Sequence, residues 1–402
     1  MSTNALNRRL EAAKPSATYK IIDRVAARRA EGAEVISLCA GEPDFDTPAH
    51  IRAAAISAID NGHTRYTQVA GLRALREAIA RKYRRENGLE VGWEDTLVCS
   101  GGKQVIFNAL AATLNEGDEV VIPAPYWVSY PEMVQLCGGE SRTLACGAAT
   151  GFKLTAQALA EAIGPNTRWL ILNSPSNPTG AVYERAELKA LADVLLAHPR
   201  VLILADDIYE HLIFDGRDFL TLAQVEPRLA ERTLTMNGVS KAYAMTGWRI
   251  GFATGPRWLL EAMEKLQGQQ TSGACSISQH AAIAALDGPK DFIVHSREVF
   301  QRRRDFMVTL LNQAPGIRCQ SPAGAFYAFA DCTGLIGKRS GAGRGLVDDE
   351  AVALALLEEA NVAVVPGSAF GLPGYLRIAY ALDDESLRAA CRAIHSFCEH
   401  AR

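Results

Sequence analysis

Short apolar runs alternate with longer amphipathic stretches through the first three quarters of the chain. The runs are almost wholly apolar, which is typical of strands buried on both faces of a mostly parallel sheet. The stretches between them predict helices that start at Thr47-Pro48 and stop at Gly62, cover residues 72–86, and cover residues 184–197. The alternation indicates an α/β domain with helices on both faces of the sheet. The predicted strands are 96–99, 119–122, 168–172, 201–205, 234–236 and 250–253.

The last hundred or so residues follow a different pattern. A long charged helix is predicted over 291–313, strands over 325–330, 362–365 and 375–379, and helices over 348–360 and 383–399. We interpret this part as a smaller α+β domain that packs with the N-terminal arm. The expected division is 1–45 for the arm and part of the small domain, 46–294 for the large domain, and 295–402 for the small C-terminal domain.

Composition narrows the class of protein. A chain of 402 residues is long enough for two domains, and its net charge of −3 gives no reason to expect a nucleic-acid partner. The nine cysteines form no CxxC pair, so we expect no metal site and reduced thiols in the cytoplasm. The N-terminus is polar, and no apolar run approaches the length of a membrane span, so we expect no membrane partner.

The first segment with candidate chemistry ends in Ser240-Lys241 and is followed by Arg249. A lysine at a strand end is usually only solvated. Here an amine, a hydroxyl and a guanidinium together suit an aldehyde cofactor that bears a phosphate, because the amine condenses with the aldehyde and the guanidinium binds the phosphate.

Three further segments follow predicted strands. Asp206, with Tyr209 after it, is either a turn residue or a carboxylate that keeps a pyridinium nitrogen protonated. Asn177 lies in a turn rich in Pro, Asn and Gly, where ligands bind in α/β sheets. Gly102 and Lys103 lie between a strand and the helix predicted over 104–114, a context that suits an anion.

Taken together, these segments make the chain resemble the fold-type I pyridoxal-phosphate aminotransferases, and within them the bacterial aspartate aminotransferase branch (aspartate/prephenate aminotransferases). The resemblance covers almost the whole chain, from Pro15 to the Leu-Arg-Ile segment at 376–378. The motifs that carry it most strongly are Ala-Gly-Glu-Pro-Asp-Phe at 40–45, Pro-Tyr-Trp-Val-Ser-Tyr-Pro at 125–131, Asn-Pro-Thr-Gly at 177–180, Asp206-x-x-Tyr209, and Ser240-Lys241 with Arg249.

The resemblance implies a large domain with a mostly parallel seven-stranded sheet, a smaller α+β domain, and pyridoxal 5'-phosphate as cofactor. Lys241 would hold the cofactor as a Schiff base and move the substrate proton. The other implied cofactor contacts are Asp206 at the ring nitrogen, Tyr209 and Asn177 at the ring oxygen, Trp127 on the ring face with Tyr126 beside it, and Gly102, Lys103, Ser240 and Arg249 at the phosphate. Tyr66 would reach the cofactor of the neighbouring subunit, which implies a homodimer with shared active sites.

The resemblance also implies the substrate contacts. Arg377 would grip the α-carboxylate with the Gly41 backbone near it, and Trp127 and Asn177 would complete the substrate site. The second arginine that some aspartate aminotransferases use is missing from residues 271–276. Lys103 would then supply the positive charge for the distal carboxylate. Its alternative role is phosphate binding alone. Thr18 and Lys103 also match positions associated with prephenate recognition.

The predicted function is transamination between aspartate and 2-oxoglutarate by a ping-pong mechanism, with amino acids and 2-oxo acids as the small-molecule partners. Prephenate or aromatic amino-acid transamination, alone or as a dual specificity, is the first alternative. A lyase or decarboxylase on the same scaffold is a weaker one, because fold does not fix reaction. A transcription regulator is not expected, because the segment before Pro15 is too short for a DNA-binding domain.

Overall fold

Thirteen strands are present in the computed structural model, which describes residues 7–12 and 17–402. In chain order they are β1 (Ile36–Ser37), β2 (Thr96–Cys99), β3 (Glu119–Ala124), β4 (Glu140–Ala145), β5 (Thr167–Asn173), β6 (Leu202–Asp206), β7 (Thr233–Gly238), β8 (Gly251–Thr254), β9 (Arg318–Cys319), β10 (Tyr327–Asp331), β11 (Val362–Ala363), β12 (Val365–Pro366) and β13 (Tyr375–Ala379).

Fourteen α-helices occur within the same described residues. They are α1 (Arg8–Ala12), α2 (Ala17–Ala30), α3 (Ala49–Asp60), α4 (Arg73–Asn87), α5 (Gly102–Thr113), α6 (Ser129–Leu136), α7 (Ala156–Ala162), α8 (Arg185–Leu196), α9 (Leu222–Val225), α10 (Arg257–Gln270), α11 (Ser276–Asp287), α12 (Asp291–Leu311), α13 (Asp349–Glu359) and α14 (Asp384–His400). Short 3₁₀ turns cover Trp93–Asp95, Ala148–Thr150, Pro227–Arg232 and Gly367–Phe370.

Seven strands form the central sheet, in the order β2-β8-β7-β6-β5-β3-β4. β3, β4, β5, β6 and β7 are parallel, whereas β8 runs antiparallel to both of its neighbours. The predicted mostly parallel α/β sheet is therefore confirmed. All the parallel strands end at one edge, where the chain turns into loops that carry the candidate residues.

Helices cover both faces of this sheet because successive strand residues point to opposite sides. On β5, Trp169 and Ile171 pack in one buried cluster with residues of α5, α6 and α10. Leu170 and Leu172 of the same strand pack on the other side with residues of α7 and α8. The burial of both faces explains why the inner strands, such as β5 and β6, are almost wholly apolar.

The C-terminal part contains a four-stranded antiparallel sheet in the order β12-β13-β10-β9. α12, α13 and α14 contribute Phe300, Leu356 and Ile394 to the core that covers it. β1 pairs in parallel with β11, so the segment that leads into residues 38–45 is attached to the C-terminal part. This attachment brings Gly41 to the same cleft as the ends of the large sheet.

Two predicted boundaries are wrong in detail. Pro48 is the residue that caps α3, rather than the first residue in the helix, and it makes no side-chain cap. The Thr47 hydroxyl instead donates to the Ala244 carbonyl at 2.7 Å and accepts from the Trp248 indole at 3.0 Å. The strand predicted over 362–365 consists of two short strands, β11 and β12.

Over residues 7–12 and 17–402, no helix has both the length and the apolar character needed to cross a membrane.

Candidate active site

A cavity of about 590 Å³ opens where β5, β6 and β7 end, between the large sheet and the C-terminal part. This volume is typical of a small-molecule site, and the position is where α/β sheets bind ligands. Eleven of the residues predicted from the sequence line it: Gly41, Gly102, Lys103, Trp127, Asn177, Asp206, Tyr209, Ser240, Lys241, Arg249 and Arg377. The fold thus brings together residues more than 300 positions apart in the chain.

Lys241 follows β7 and extends its amine into the cavity. The Nζ atom donates to the Gly41 carbonyl at 2.5 Å. Burial lowers the pKa of Lys241 to about 8; Glu42 opposes this shift, while Arg249 and Arg377 add to it. A lysine with so low a pKa is neutral in a useful fraction near neutral pH, which is the form that attacks an aldehyde or accepts a proton.

Asp206, the last residue of β6, is buried at the floor of the cavity. Its carboxylate accepts from the Tyr130 hydroxyl at 2.5 Å and from the Ile208 amide at 3.3 Å. Burial raises the pKa of Asp206 to about 6, while these two hydrogen bonds and Lys241 act in the opposite direction. Each oxygen of this buried carboxylate can accept a further hydrogen bond, so a protonated ring nitrogen suits it as a partner.

The start of α5 and the loop after β7 form a cradle suited to an anion. Gly101, at φ +83°, caps α5, and a Cβ on it would overlap the Arg249 guanidinium. A Cβ on Gly102 would lie 2.6 Å from the Met236 methyl group. The amides of the first turn of a helix have no partner within the helix, so together with Arg249 and the buried Ser240 they can hold a phosphate.

Arg377 on β13 is buried and is fixed at two of its three nitrogens. One Nη donates to the Cys39 carbonyl at 2.7 Å, and the other lies 3.4 Å from the Asn177 side-chain oxygen. The Nε atom has no hydrogen-bond partner among the described residues. A buried guanidinium on the wall of a cavity suits a carboxylate ligand.

Asn177 is also held by Asn173: the backbone amide of Asn177 donates to the side-chain oxygen of Asn173 at 2.8 Å. The Asn173 amide group in turn donates to the Asp206 carbonyl at 2.9 Å. The end of β5 and the end of β6 are thereby joined, so that Asn177, Asp206 and Arg377 keep fixed relative positions.

Trp127 lies just before α6, and the side chain of Lys103 lies over its indole ring. The Lys103 ammonium is 4.9 Å from the centroid of the indole, a cation–π contact. On its other side the indole meets Tyr130 edge-to-face at 5.4 Å. Burial and then the nearby Arg249 lower the pKa of Lys103.

Two residues singled out in the sequence, Tyr66 and Tyr126, are not among those that line the cavity. Tyr66 is 96% exposed on the surface of this chain. Tyr126 lines a separate small cavity of about 20 Å³, and its amide donates to the Phe370 carbonyl at 3.0 Å. Thr18 falls in α2, but its side chain lies outside the described part of the chain.

Sequence reasoning gave no role to three residues that line the cavity. Tyr130 contacts Asp206, Tyr327 lies 3.0 Å from the Tyr209 hydroxyl, and Glu42 accepts from the Thr246 hydroxyl at 2.7 Å. The position of Tyr130, three residues after Trp127 at the start of a helix, could have placed it beside that indole. The sequence around Tyr327 carries no comparable signal, because a tyrosine in an apolar strand is typical of a buried core.

One group of side chains outside the cavity has the spacing of metal ligands, namely Glu86, Glu210 and His211. Lys82, which is 1% exposed, forms an ion pair with Glu210 and donates to Asn87 at 2.6 Å. Its ammonium already supplies the positive charge that these carboxylates require. The group therefore serves to attach α4 to the segment that follows β6.

Comparison with known proteins places this arrangement in context. The sequence model of the family "Aminotransferase class I and II" matches residues 33–394. An aspartate/prephenate aminotransferase of Cereibacter sphaeroides is 57% identical over 96% of each chain. Among solved structures, the aspartate aminotransferase of Rhizobium meliloti superposes with a TM-score of 0.97 at 50% identity and 99% coverage of both chains. That of Thermus thermophilus with maleate superposes with a TM-score of 0.91 at 41% identity, covering 98% of this chain and 99% of the other.

Proposed function

The chain belongs to the class I and II aminotransferases, and we propose that it transfers the amino group between aspartate and 2-oxoglutarate. The observation that carries the proposal is the geometry around Arg377: a buried guanidinium, held at both Nη atoms, lines the same cavity as the Lys241 amine. An amino acid bound there by its α-carboxylate would present its amino group to the same cavity. The names of the relatives, aspartate and aspartate/prephenate aminotransferase, support this choice.

Enzymes of this family use pyridoxal phosphate, and the residues of the cavity fit it. The cradle formed by Gly101, Gly102 and Arg249 suits its phosphate, and Asp206 suits its ring nitrogen. Tyr209 and Asn177 would bind the ring oxygen, and Trp127 would cover the ring face. When bound, the cofactor supplies an aldehyde for condensation with amines and a ring that withdraws electrons from the substrate.

The chain's own residues then have defined tasks. Lys241 would supply the amine that condenses with the aldehyde, and the same amine, when free, would take the proton from the substrate Cα. Its low pKa keeps a fraction of the amine neutral for both tasks. Asp206 in its anionic form keeps the ring nitrogen protonated, and the Tyr130 hydroxyl stabilises that anion. Arg377 holds the α-carboxylate so that the Cα–H bond faces Lys241.

Lys103 would select dicarboxylic substrates. Its ammonium lies over the Trp127 ring on the wall of the cavity, where the distal carboxylate of a bound amino acid could reach it. Maleate, named with the Thermus thermophilus structure, is a four-carbon dicarboxylate like oxaloacetate. Prephenate also has two carboxylates, so transamination of prephenate is the second candidate, and it is favoured by the name of the Cereibacter sphaeroides relative.

We also propose that the active unit is a homodimer, in which Tyr66 of each subunit contacts the cofactor of the other. The high exposure of Tyr66 in the single chain supports this, because a tyrosine so exposed has no role within its own subunit. The division into an arm (1–45), a large domain (46–294) and a small domain (295–402) is proposed on the confinement of the large sheet to residues 96–254. A cytoplasmic location is proposed from the cysteine pattern.

The test of the substrate proposal is a set of half-reactions. The purified enzyme is loaded with pyridoxal phosphate and mixed with one amino acid at a time, and the absorbance of the bound cofactor is followed. Aspartate and glutamate should convert the cofactor to its amine form faster than alanine or phenylalanine does. The reverse order would refute the dicarboxylic assignment. Prephenate added to the amine form would then test the second candidate.

A further inference from the structure

Tyr327 lies between the side chain proposed to hold the cofactor ring oxygen and the side chain proposed to hold the substrate. Its hydroxyl is 3.0 Å from the Tyr209 hydroxyl, and its ring is 4.7 Å from the Arg377 guanidinium carbon. Tyr327 is wholly buried apart from its position on the cavity wall. A single side chain therefore touches both halves of the site.

The two hydroxyl groups form a pair in which either can be the donor. If Tyr209 donates to Tyr327, its proton is used in that hydrogen bond and cannot be donated to a ligand oxygen. If Tyr327 donates to Tyr209, the Tyr209 proton is free to point into the cavity toward a ligand oxygen. The second direction is the one that a ring oxygen would favour, because a hydroxyl that accepts one hydrogen bond becomes a stronger donor in the next.

The ring of Tyr327 has a separate contact that does not involve the hydroxyl. Tyr327 on β10 pairs with Ala379 on β13, so Arg377, two residues earlier, is its diagonal neighbour on the same face of the sheet. The guanidinium carbon is also 5.1 Å from the centroid of the Phe370 ring, so it contacts two aromatic rings. Two aromatic faces fix the plane of the guanidinium while its Nε stays unpaired.

We propose that Tyr327 is a positioning residue for transamination with two separable actions: its hydroxyl directs the Tyr209 proton toward the cofactor ring oxygen, and its ring fixes the plane of Arg377 for the substrate α-carboxylate. The inference rests on the proposed function of Tyr209 and Arg377. Because the actions come from different atoms of one side chain, two substitutions separate them.

The decisive variants are Tyr327→Phe, which removes only the hydroxyl, and Tyr327→Leu, which also removes the ring. Tyr380→Phe is the matched control. Tyr380 is equally buried, its hydroxyl donates to the Ala325 carbonyl at 3.2 Å, and it does not line the cavity. The measurements are the affinity of each apoenzyme for pyridoxal phosphate, the pH titration of the bound cofactor's absorption, and kcat and KM for aspartate.

For Tyr327→Phe we expect cofactor affinity to fall about 3- to 10-fold, the range of one lost hydrogen bond. The absorption titration should shift to higher pH, because a weaker Tyr209 donor leaves the ring oxygen more basic. The KM for aspartate should stay near the wild-type value. Tyr327→Leu should add a rise in KM of about 3- to 10-fold, the range of a lost cation–π contact. Tyr380→Phe should match the wild type in every measurement.

Three results would overturn the inference. One is a Tyr327→Phe enzyme whose cofactor affinity and titration match the wild type. Another is a Tyr380→Phe enzyme with the same losses as Tyr327→Phe, which would show a structural effect of any buried hydroxyl. The third is an equal rise in KM for Tyr327→Phe and Tyr327→Leu. If the leucine variant does not fold, the comparison of the two phenylalanine variants still decides the hydroxyl action. Failure of the wild type itself to bind the cofactor would instead refute the proposed function.

Discussion

Lys103 is the residue proposed to select dicarboxylic substrates, and its replacement gives the sharpest test of specificity. Lys103→Met removes the ammonium and keeps a side chain of similar length over the Trp127 ring. The backbone of residue 103, in the first turn of α5 beside the proposed phosphate site, is unchanged. Lys103→Arg is the matched control, because it keeps a positive charge above the indole.

The magnitude follows from the position of the side chain. A charge-assisted hydrogen bond contributes about 1.5–3 kcal/mol when both partners are buried. Lys103 is partly exposed to solvent, which screens its charge, so the lower end of that range applies. About 1.4 kcal/mol corresponds to a tenfold change. We therefore expect the specificity constant for aspartate and glutamate to fall about tenfold, and that for alanine and phenylalanine to change less than about twofold.

The assay uses half-reactions with single amino acids, because 2-oxoglutarate is itself a dicarboxylate and would hide the difference in a complete cycle. Cofactor affinity is measured separately for each variant, so that loss of phosphate binding is recognised. An equal loss for both classes of amino acid would refute the reasoning and assign Lys103 to the phosphate alone. An arginine variant that fails to restore the preference for dicarboxylic substrates would show that charge is not the cause.

Two further predictions concern protons. Tyr130→Phe should lower kcat about 3- to 10-fold with little change in KM, because Asp206 loses the hydroxyl that stabilises its anion, and the ring nitrogen then holds its proton less firmly; kcat unchanged within error would contradict this. Glu42→Gln removes the acid that raises the pKa of Lys241. In the wild type, the rate of cofactor capture by the apoenzyme should rise through about pH 8, as the amine becomes neutral. In the variant this rise should move to lower pH. A profile that stays in place or moves upward would show that Glu42 does not act on the amine.

The strands of the large sheet could be predicted where both faces are buried. The predicted strand 96–99 coincides with β2, and in the C-terminal sheet the predicted strand 375–379 coincides with β13. β4 was missed because it is an exposed edge strand: most of its residues are exposed and polar, whereas β2, at the opposite edge, is buried. Its sequence therefore lacks the apolar run that marks the others. The antiparallel direction of β8 could not be predicted either, since an apolar run is the same in both directions.

The site residues could be predicted where each follows a strand or belongs to a motif with distinct chemistry, as Asp206, Asn177 and Lys241 do. Tyr130 and Tyr327 were missed because tyrosine has two ordinary places, the core and the wall of a cleft. Which of these a tyrosine occupies depends on packing between elements far apart in the chain. Tyr327 meets Tyr209 across 118 positions, and Tyr130 meets Asp206 across 76. The role of Tyr66 remains a prediction because it involves a second chain.

The most direct test of the central claim is to find the lysine that holds the cofactor. The enzyme is loaded with pyridoxal phosphate, the bond between aldehyde and amine is reduced with borohydride, and the peptides are mapped by mass spectrometry. We predict that the pyridoxyl group is on Lys241, at about one per subunit. Lys265, an exposed lysine on α10, should carry none. Labelling of a different lysine, or reduction that leaves Lys241 unmodified, would contradict it.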